Sequence, residues 1–233
     1  MGLPRAIARS FVVPAALAWL PAMPAVAQAN GDWVAYRDAY RAMVVFEKYG
    51  GPKSLLQQHL QVLPRTPAPD APALQLMVYG KTSQGHFRLD ATLRTAFPLT
   101  RAAYDDNAIL QLNQPLGAFS VRPQITLALH PDNLYDSEQL RRGCEQALAY
   151  ARQLALFGAR RCTGVRFVFS KGSATAPVSL HGAATVRLDA VPGAPFPGDG
   201  DATFPVVSYR FSGAGRVQLG TASAPLAIAP LFD

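Results

Sequence analysis

Apolar residues alternate with polar ones over much of this chain, and that alternation constrains its fold more than any other feature. Successive side chains of a strand point to opposite faces of a sheet, so the pattern is typical of strands with one buried face. Pro123 lies inside one of these runs, which predicts an edge strand or a bulged one. About eight such segments predict an α+β, mostly β protein with an antiparallel β-sandwich-like core. The segments are LQLMVYG, HFRLDATL, AILQLN, AFSVRPQITLALH, GVRFVFS, VSLHGAATVRLDAV, FPVVSYRF and GRVQL.

A second pattern predicts a helix at about residues 136–157. Asp136 is placed to cap its start with Gln139 reaching back, and Gly158 is placed to stop it. If the helix ran to residue 157, its end would lie so far from Cys144 that residues 158–162 could barely bring Cys162 back to it. It should therefore end nearer Leu154, or residues 158–162 should run straight back along it. The apolar face of this helix consists of Leu140, Cys144, Ala147, Leu148, Ala151 and Leu154.

Cys144 and Cys162 are the only cysteines of the chain. Two cysteines in an exported protein usually form a disulfide, which here would tether the helix to the strand that follows. Free buried thiols, or metal or redox chemistry, remain open as alternatives. The spacing is not C-x-x-C, and no further cysteine or nearby histidine completes a zinc set.

Residues 1–29 have the three parts of a secretory signal peptide. Arg5 and Arg9 precede the apolar run FVVPAALAWLPAM, and Ala27-Gln28-Ala29 forms the cleavage site. The run is shorter than the roughly 20 residues of a membrane span, and no span is predicted elsewhere. With the arginine-, alanine- and proline-rich composition, the leader predicts a periplasmic or secreted bacterial protein.

The exported part divides into an N-terminal helical segment at 30–64 and a β-rich domain with the inserted helix at 65–233. The helical segment begins with WVAYRDAYRAMVVFEKYGG, whose apolar residues recur at helical spacing. Within it, residues 52–64 (PKSLLQQHLQVLP) are compatible with a helix or a strand. A proline-rich stretch, RTPAPDAP at 65–72, separates the two parts.

The charge of the chain limits its partners. The formal net charge of +7 falls to +5 once Arg5 and Arg9 leave with the leader (7 − 2). Such an excess is ordinary for a secreted domain, but it would also favour an anionic envelope component such as a phosphorylated glycolipid or an acidic wall polymer. Nucleic acid is not an expected partner in that compartment. Positive charge is densest around the cysteine-bounded helix. The arginines there form either a possible anion-binding set or a solvated helix face. They are Arg141, Arg142, Arg152, Arg160 and Arg161.

Catalytic and metal-binding motifs are not recognisable. The sequence has no G-x-S-x-G elbow, and its four histidines lack the spacings of metal ligands, so no cofactor and no metal are predicted. One alternative is a hydrolase or an enzyme inhibitor whose site is assembled from His130, Asp132 and Asp105 or Asp106. Residues 197–204 (PGDGDATF) hold part of a calcium-loop pattern and are more simply a hairpin loop.

Residues 80–113 resemble part of the transthyretin-like or carboxypeptidase-regulatory β-sandwich modules. The matching pieces are GHFRL at 85–89, where a glycine turn precedes an alternating strand, and FPL at 97–99, which precedes the next strand. The resemblance implies a non-catalytic module with a structural or binding role.

Together these observations predict a non-enzymatic binding or structural protein of the cell envelope. Its partner would be an envelope protein or an anionic envelope component. An enzyme should gather His130 and the carboxylates in one concave pocket, whereas a binding module should expose an arginine-rich or apolar face.

Overall fold

The computed structural model describes most of the chain, in residues 32–65, 74–156, 158–172, 178–181, 185–199, 202–211 and 216–233. The predicted leader at 1–29 lies outside these residues. The helices within them are α1 (Tyr36–Glu47), α2 (Arg101–Asp105) and α3 (Ser137–Gln153). The strands are β1 (Trp33–Ala35), β2 (Leu56–Pro64), β3 (Gln75–Tyr79), β4 (Gln84–Arg88), β5 (Arg94–Thr95), β6 (Ile109–Leu112), β7 (Phe119–Leu127), β8 (Leu134–Asp136), β9 (Cys162–Val168), β10 (Val178–His181), β11 (Thr185–Leu188), β12 (Val191–Gly193), β13 (Phe204–Arg210), β14 (Gln218–Thr221) and β15 (Ala227–Phe232).

The strands form three antiparallel sheets. Two have four strands each, in the orders β1-β6-β3-β4 and β11-β10-β14-β8. The third has seven strands in the order β12-β13-β9-β15-β7-β2-β5. Strands β2 and β7 pair along their full length, from Leu56 opposite Leu127 to Pro64 opposite Phe119.

One face of the seven-stranded sheet is apolar and is covered by both smaller sheets. Near β2 and β7 it packs against α1 and the β1-β6-β3-β4 sheet, in a core that includes Tyr36, Leu60, Leu76, Leu110 and Phe119. Near β9, β13 and β15 it packs against α3 and the β11-β10-β14-β8 sheet, in a core that includes Leu140, Cys144, Phe167, Leu219 and Ile228. The predicted α+β, mostly β architecture with a sandwich-like core is confirmed.

In the predicted helical segment at 30–64, the described residues (32–64) are helical only over α1. Trp33–Ala35 forms β1, which pairs with β6, and Leu56–Pro64 forms β2 of the seven-stranded sheet. The full-length pairing with β7 gives the backbone of residues 56–64 its hydrogen bonds, and it decides between the two conformations compatible with that sequence.

Pro123 lies on an edge-like part of an interior strand. β7 stands between β2 and β15, but β15 pairs with it at a single position, Ile228 opposite Leu127. Residues of β7 before that position have one neighbour, β2, so the missing N–H of Pro123 interrupts no ladder on the other side. The predicted edge character is therefore local.

The helix α3 begins where the sequence predicts and ends four residues earlier. The Asp136 side chain caps its start by accepting hydrogen bonds from the backbone N–H groups of Glu138 and Gln139. Its C-terminus closes with hydrogen bonds from Ala155 N to Arg152 O and from Leu156 N to Ala151 O, a Schellman motif. The left-handed residue is Ala155 (φ 57°), so the prediction that Gly158 stops the helix is wrong.

Candidate functional site

The two cysteines fix the position of α3 on the seven-stranded sheet. Cys144 is fully buried in the middle of α3, and Cys162 is the first residue of β9. Their Cα atoms lie 6.0 Å apart and their sulfurs are at disulfide distance. Because α3 ends at Gln153, residues 154–162 are long enough to bring Cys162 back to Cys144. This is the first of the two predicted geometries, in which the helix ends near Leu154.

Three of the five predicted anion-binding arginines, Arg152, Arg160 and Arg161, lie together where α3 ends and β9 begins. Arg152 Nη2 donates to the backbone oxygen of Arg160 at 2.6 Å. Arg161 exchanges two backbone hydrogen bonds with Asp233, which accepts from Arg210 Nη1 at 2.9 Å. Arg141 lies about three turns nearer the start of α3 than Arg152, and its guanidinium is 4.7 Å from the centre of the Phe211 ring. We call the surface around Arg152, Arg160, Arg161 and Arg210 the basic end.

Arg142, the fifth predicted arginine, belongs to a different flank of α3. It is exposed, and at about 100° per residue it projects a quarter turn or more away from Arg141 around the helix axis. Arg141 and Arg142 are thus outside the basic end, and Arg210 belongs to it instead. The sequence could not indicate this exchange, because Arg210 joins the surface through the pairing of β13 with β9.

A shallow cleft of about 250 Å³, counting its open mouth, lies between the β7–β8 turn and α3. His130 stands in it, stacked on Tyr135 with ring centres 5.1 Å apart. The Nδ1 of His130 is 2.9 Å from the Leu134 oxygen, so it donates, and Nε2 faces the amide of Gln139 at 3.2 Å. Both ring nitrogens are therefore engaged in holding the turn, and Gln139 binds His130 instead of completing the predicted capping box.

The carboxylates predicted to join His130 do not line this cleft. Asp132 accepts from the backbone N–H of Leu134 and closes the β7–β8 turn. Asp105 pairs with Arg101 on α2, and Asp106 accepts from the backbone and hydroxyl of Thr82, which holds its pKa below the ordinary value. These two residues adjoin the α1 side of the sandwich, whereas His130 adjoins α3. The structure does not assemble the predicted constellation.

The cleft residue Asp136 provides a test of local electrostatics. Burial would raise the pKa of its carboxyl, but hydrogen bonds from Arg216 and from the backbone N–H groups of Gln139 and Glu138 outweigh burial and hold that pKa below its ordinary value. Substituting Asp136→Ala should lower the free energy of unfolding by about 1 kcal/mol, through loss of the helix cap. Asp136→Asn keeps a capping oxygen and should cost less.

Because the pKa of Asp136 is lower in the folded state, its ionised form stabilises the fold above the unfolded-state pKa of about 3.9. That contribution is lost as the pH falls through the folded-state pKa. The stability difference between wild type and Asp136→Asn should therefore be present at pH 7 and disappear in acid. Urea unfolding at a series of pH values measures it, and a difference that grows toward low pH would contradict the assignment.

The other face of the seven-stranded sheet carries a polar cluster that the sequence did not reveal. Residues 194–199 cross this face, and the carboxyl of Asp199, only 5% exposed, is paired with Arg122. Asp199 also accepts from Gln61 Nε2 at 3.1 Å, while Gln61 Oε1 accepts from Arg122 at 3.0 Å. Burial raises the pKa of the Asp199 carboxyl despite the neighbouring Arg122. The hairpin-loop interpretation of 197–204 misses this buried contact, and Asp201 lies outside the described residues.

Arg94 is the most deeply buried charge in this cluster, with 2% of the residue exposed. Its Nη2 donates to Asp90 at 2.8 Å and to the Leu226 oxygen at 2.7 Å, and its Nε donates to the Thr92 hydroxyl at 2.7 Å. Its guanidinium lies 4.8 Å from the centre of the Phe196 ring. Arg94 thus joins β5, the loop before β15 and residues 194–199.

Comparison with protein-family models, curated proteins and solved structures gave no significant match to this chain. Among the described residues, no helix combines the length and the apolar character that crossing a bilayer requires. Any functional assignment therefore depends on the geometry of the sites above.

Proposed function

We propose that this chain is an exported, non-enzymatic binding protein of the bacterial envelope and that its basic end holds an anionic envelope component. The observation that carries the proposal is the group of four arginines that hydrogen bonds join at this end, Arg152, Arg160, Arg161 and Arg210, where Asp233 pairs with Arg210. Guanidinium groups bind phosphate and carboxylate oxygens in pairs, so such a surface suits polymers or headgroups that carry them.

The tethering of α3 supports the same function. The Cys144–Cys162 bridge joins the helix that presents Arg152 to the strand that follows Arg160 and Arg161. Fixing both sides of the surface reduces the conformational entropy that binding would otherwise cost. The resemblance of residues 80–113 to non-catalytic β-sandwich modules agrees with a binding role.

Reversing two charges of the basic end tests the proposal. Arg160→Glu/Arg161→Glu should weaken binding to vesicles containing an anionic lipid, or to a soluble acidic polysaccharide, by about tenfold or more, since each arginine near such a surface contributes about 1 kcal/mol. Co-sedimentation with vesicles and titration with the polysaccharide distinguish the two sources of negative charge. Binding should also weaken as ionic strength rises.

The matched control is Arg88→Glu/Arg187→Glu, which changes the net charge equally at exposed positions on β4 and β11. This control should bind nearly as well as wild type. If it weakened binding as much as the basic-end variant, only net charge would matter and the proposed surface would be wrong. Failure of the wild-type protein to bind any anionic probe would also reject it.

The second candidate is a hydrolase or enzyme inhibitor using the His130 cleft, and the clustering of His130, Tyr135 and Asp136 there is the observation in its favour. The engagement of both His130 nitrogens in the turn argues for the binding role instead. Release of a defined product by the pure protein, abolished by His130→Ala, would reverse this preference.

A further inference from the structure

Residues 185–193 contain two edge strands in succession. β11 is at the edge of the β11-β10-β14-β8 sheet, where its neighbour is β10, and β12 is at the edge of the seven-stranded sheet, where its neighbour is β13. Asp189 and Ala190 join the two strands. The free side of an edge strand offers unpaired N–H and C=O groups, which proteins usually protect with proline, with lysine or with a covering element.

Only the second of these strands carries such protection. Pro192 on β12 lies opposite Pro205 on β13. Neither residue has an N–H group, so the pair makes no ladder hydrogen bond, and an added strand would find no donor at Pro192. β11, with the sequence TVRL, contains neither proline nor lysine. The free side of β11 is therefore open to pairing.

The apolar surface of β11 is also uncovered at this edge. Val186 shares one face of the strand with Leu188, which packs against the core. The exposed fraction of Val186 is nevertheless 50%, and that of Val191 on β12 is 58%, the two highest values for large apolar residues in the part of the chain that the structure describes. On β4, the edge of the other four-stranded sheet, Phe87 is half-buried. A strand added beside β11 would cover Val186.

The charges that follow Val186 suit a second copy of this chain as the added strand. Arg187 and Asp189 lie on one face of the segment, 3.4 Å apart, and their side chains are 60% and 83% exposed, so both can reach a partner. In a twofold antiparallel pair, one residue lies directly opposite its own copy, because only then do side chains on the same face meet. The position of that residue fixes every other cross-strand pair.

The charges select one position for the axis. With the axis at Leu188, Arg187 of each copy lies opposite Asp189 of the other, which gives two attractive pairs. With the axis at Arg187, two arginines would face each other. With the axis at Val186, Arg187 would lie opposite Thr185 and no charge pair would form. The register centred on Leu188 is therefore the favoured one.

We propose that β11 pairs antiparallel with β11 of a second copy about a twofold axis at Leu188, so that two four-stranded sheets become one continuous sheet. Val186 of each copy is then covered by Ala190 of the other. The contact is about one strand wide, so the dimer is weak, with a dissociation constant above about 10 µM. Vesicle titrations at lower protein concentration therefore measure the monomer, in which Arg187→Glu changes only the charge.

Exchange of the two charges tests the register. Sedimentation velocity of the purified protein from about 10 µM to about 1 mM should show wild type shifting from monomer toward dimer. Arg187→Glu and Asp189→Arg should each weaken the dimer about tenfold or more, because each makes both charge pairs repulsive. An equimolar mixture of these two variants should restore the dimer, since the new glutamate of one faces the new arginine of the other. The variant with both substitutions should dimerise as wild type does.

Matched controls separate this surface from general effects of charge. Arg88→Glu on β4 changes the net charge as Arg187→Glu does and should leave the dimer intact. Val186→Lys should weaken the dimer by placing a charge at the edge, whereas Val45→Lys, at an exposed position of α1, should not.

A wild-type protein that stays monomeric over the whole concentration range would overturn the proposal. Wild-type dimerisation of Arg187→Glu, Asp189→Arg or Val186→Lys would do the same, as would a mixture of the two charge variants that stays monomeric. Restoration in the mixture also shows that each variant is folded. Because none of these residues belongs to the basic end, failure here would leave the proposed envelope-binding function standing.

Discussion

Reduction of the Cys144–Cys162 disulfide is expected to lower the free energy of unfolding by about 3 kcal/mol, the chain-entropy value for a loop of this length. The bridge spans a sequence separation of 18 residues. It also joins the buried face of α3 to β9, the strand that pairs with both β13 and β15 in the seven-stranded sheet. Reduction therefore loosens the unfolded chain and removes one anchor of α3. Urea unfolding followed by circular dichroism, with and without dithiothreitol, measures the change.

The control for reduction is the double variant Cys144→Ala/Cys162→Ala. Its unfolding midpoint should be close to that of the reduced wild-type protein and should not respond to dithiothreitol. Equal midpoints for oxidised and reduced wild type would contradict the stabilising role of the bridge. Mass spectrometry of the purified protein checks the linkage itself, because two free thiols would be incompatible with it.

The helix with its bridge was predictable because the information is local. The apolar stripe of α3 repeats at helical spacing within one segment, and Asp136 caps the helix from the adjacent position. An end near Leu154 also followed from the sequence, through the distance that the disulfide has to close, but the residue that terminates the helix did not. Ala155 adopts the left-handed conformation that usually favours glycine, at a cost of roughly 1–2 kcal/mol that the packing of the following turn must offset.

The strands β1 and β2 show where local pattern stops being informative. Residues 56–64 hold leucines at spacings that suit a helix or a strand, and their state is decided by β7, more than 50 residues further along the chain. Trp33–Ala35 extends the helical stripe of α1 in sequence but pairs with β6 in the fold. In both cases a distant partner supplies the backbone hydrogen bonds that fix the conformation.

The polar face depends on still longer connections. Arg94 binds the Leu226 oxygen across 132 positions, and Gln61 binds Asp199 across 138. One local signal does exist, since β2 and β7 carry polar residues at every second position. In a sequence that alternation indicates a solvated face, and only the crossing of residues 194–199 over the sheet turns it into a buried one. The basic end was partly predictable because three of its four arginines, Arg152, Arg160 and Arg161, are close in sequence.

Arg94→Ala is expected to lower the free energy of unfolding by about 3 kcal/mol or more, the usual range for removing one partner of a buried ion pair. The substitution leaves Asp90 without its cation and the Leu226 oxygen without its donor. It also removes the guanidinium that packs against the fully buried ring of Phe196. The same urea titration measures the loss, and Arg88→Ala, an exposed arginine on β4, should change stability by less than about 0.5 kcal/mol.

Arg94→Lys distinguishes the charge of this residue from its shape. Lysine keeps the positive charge near Asp90 but cannot donate in the fixed fork that reaches Asp90, Thr92 and Leu226 together, so a substantial part of the loss should remain. If Arg94→Lys were as stable as wild type, charge alone would account for the site. If Arg94→Ala cost no more than Arg88→Ala, the buried network would not hold residues 194–199 to the sheet. A large loss in both Arg94 variants would show that the three-way contact is what closes this face.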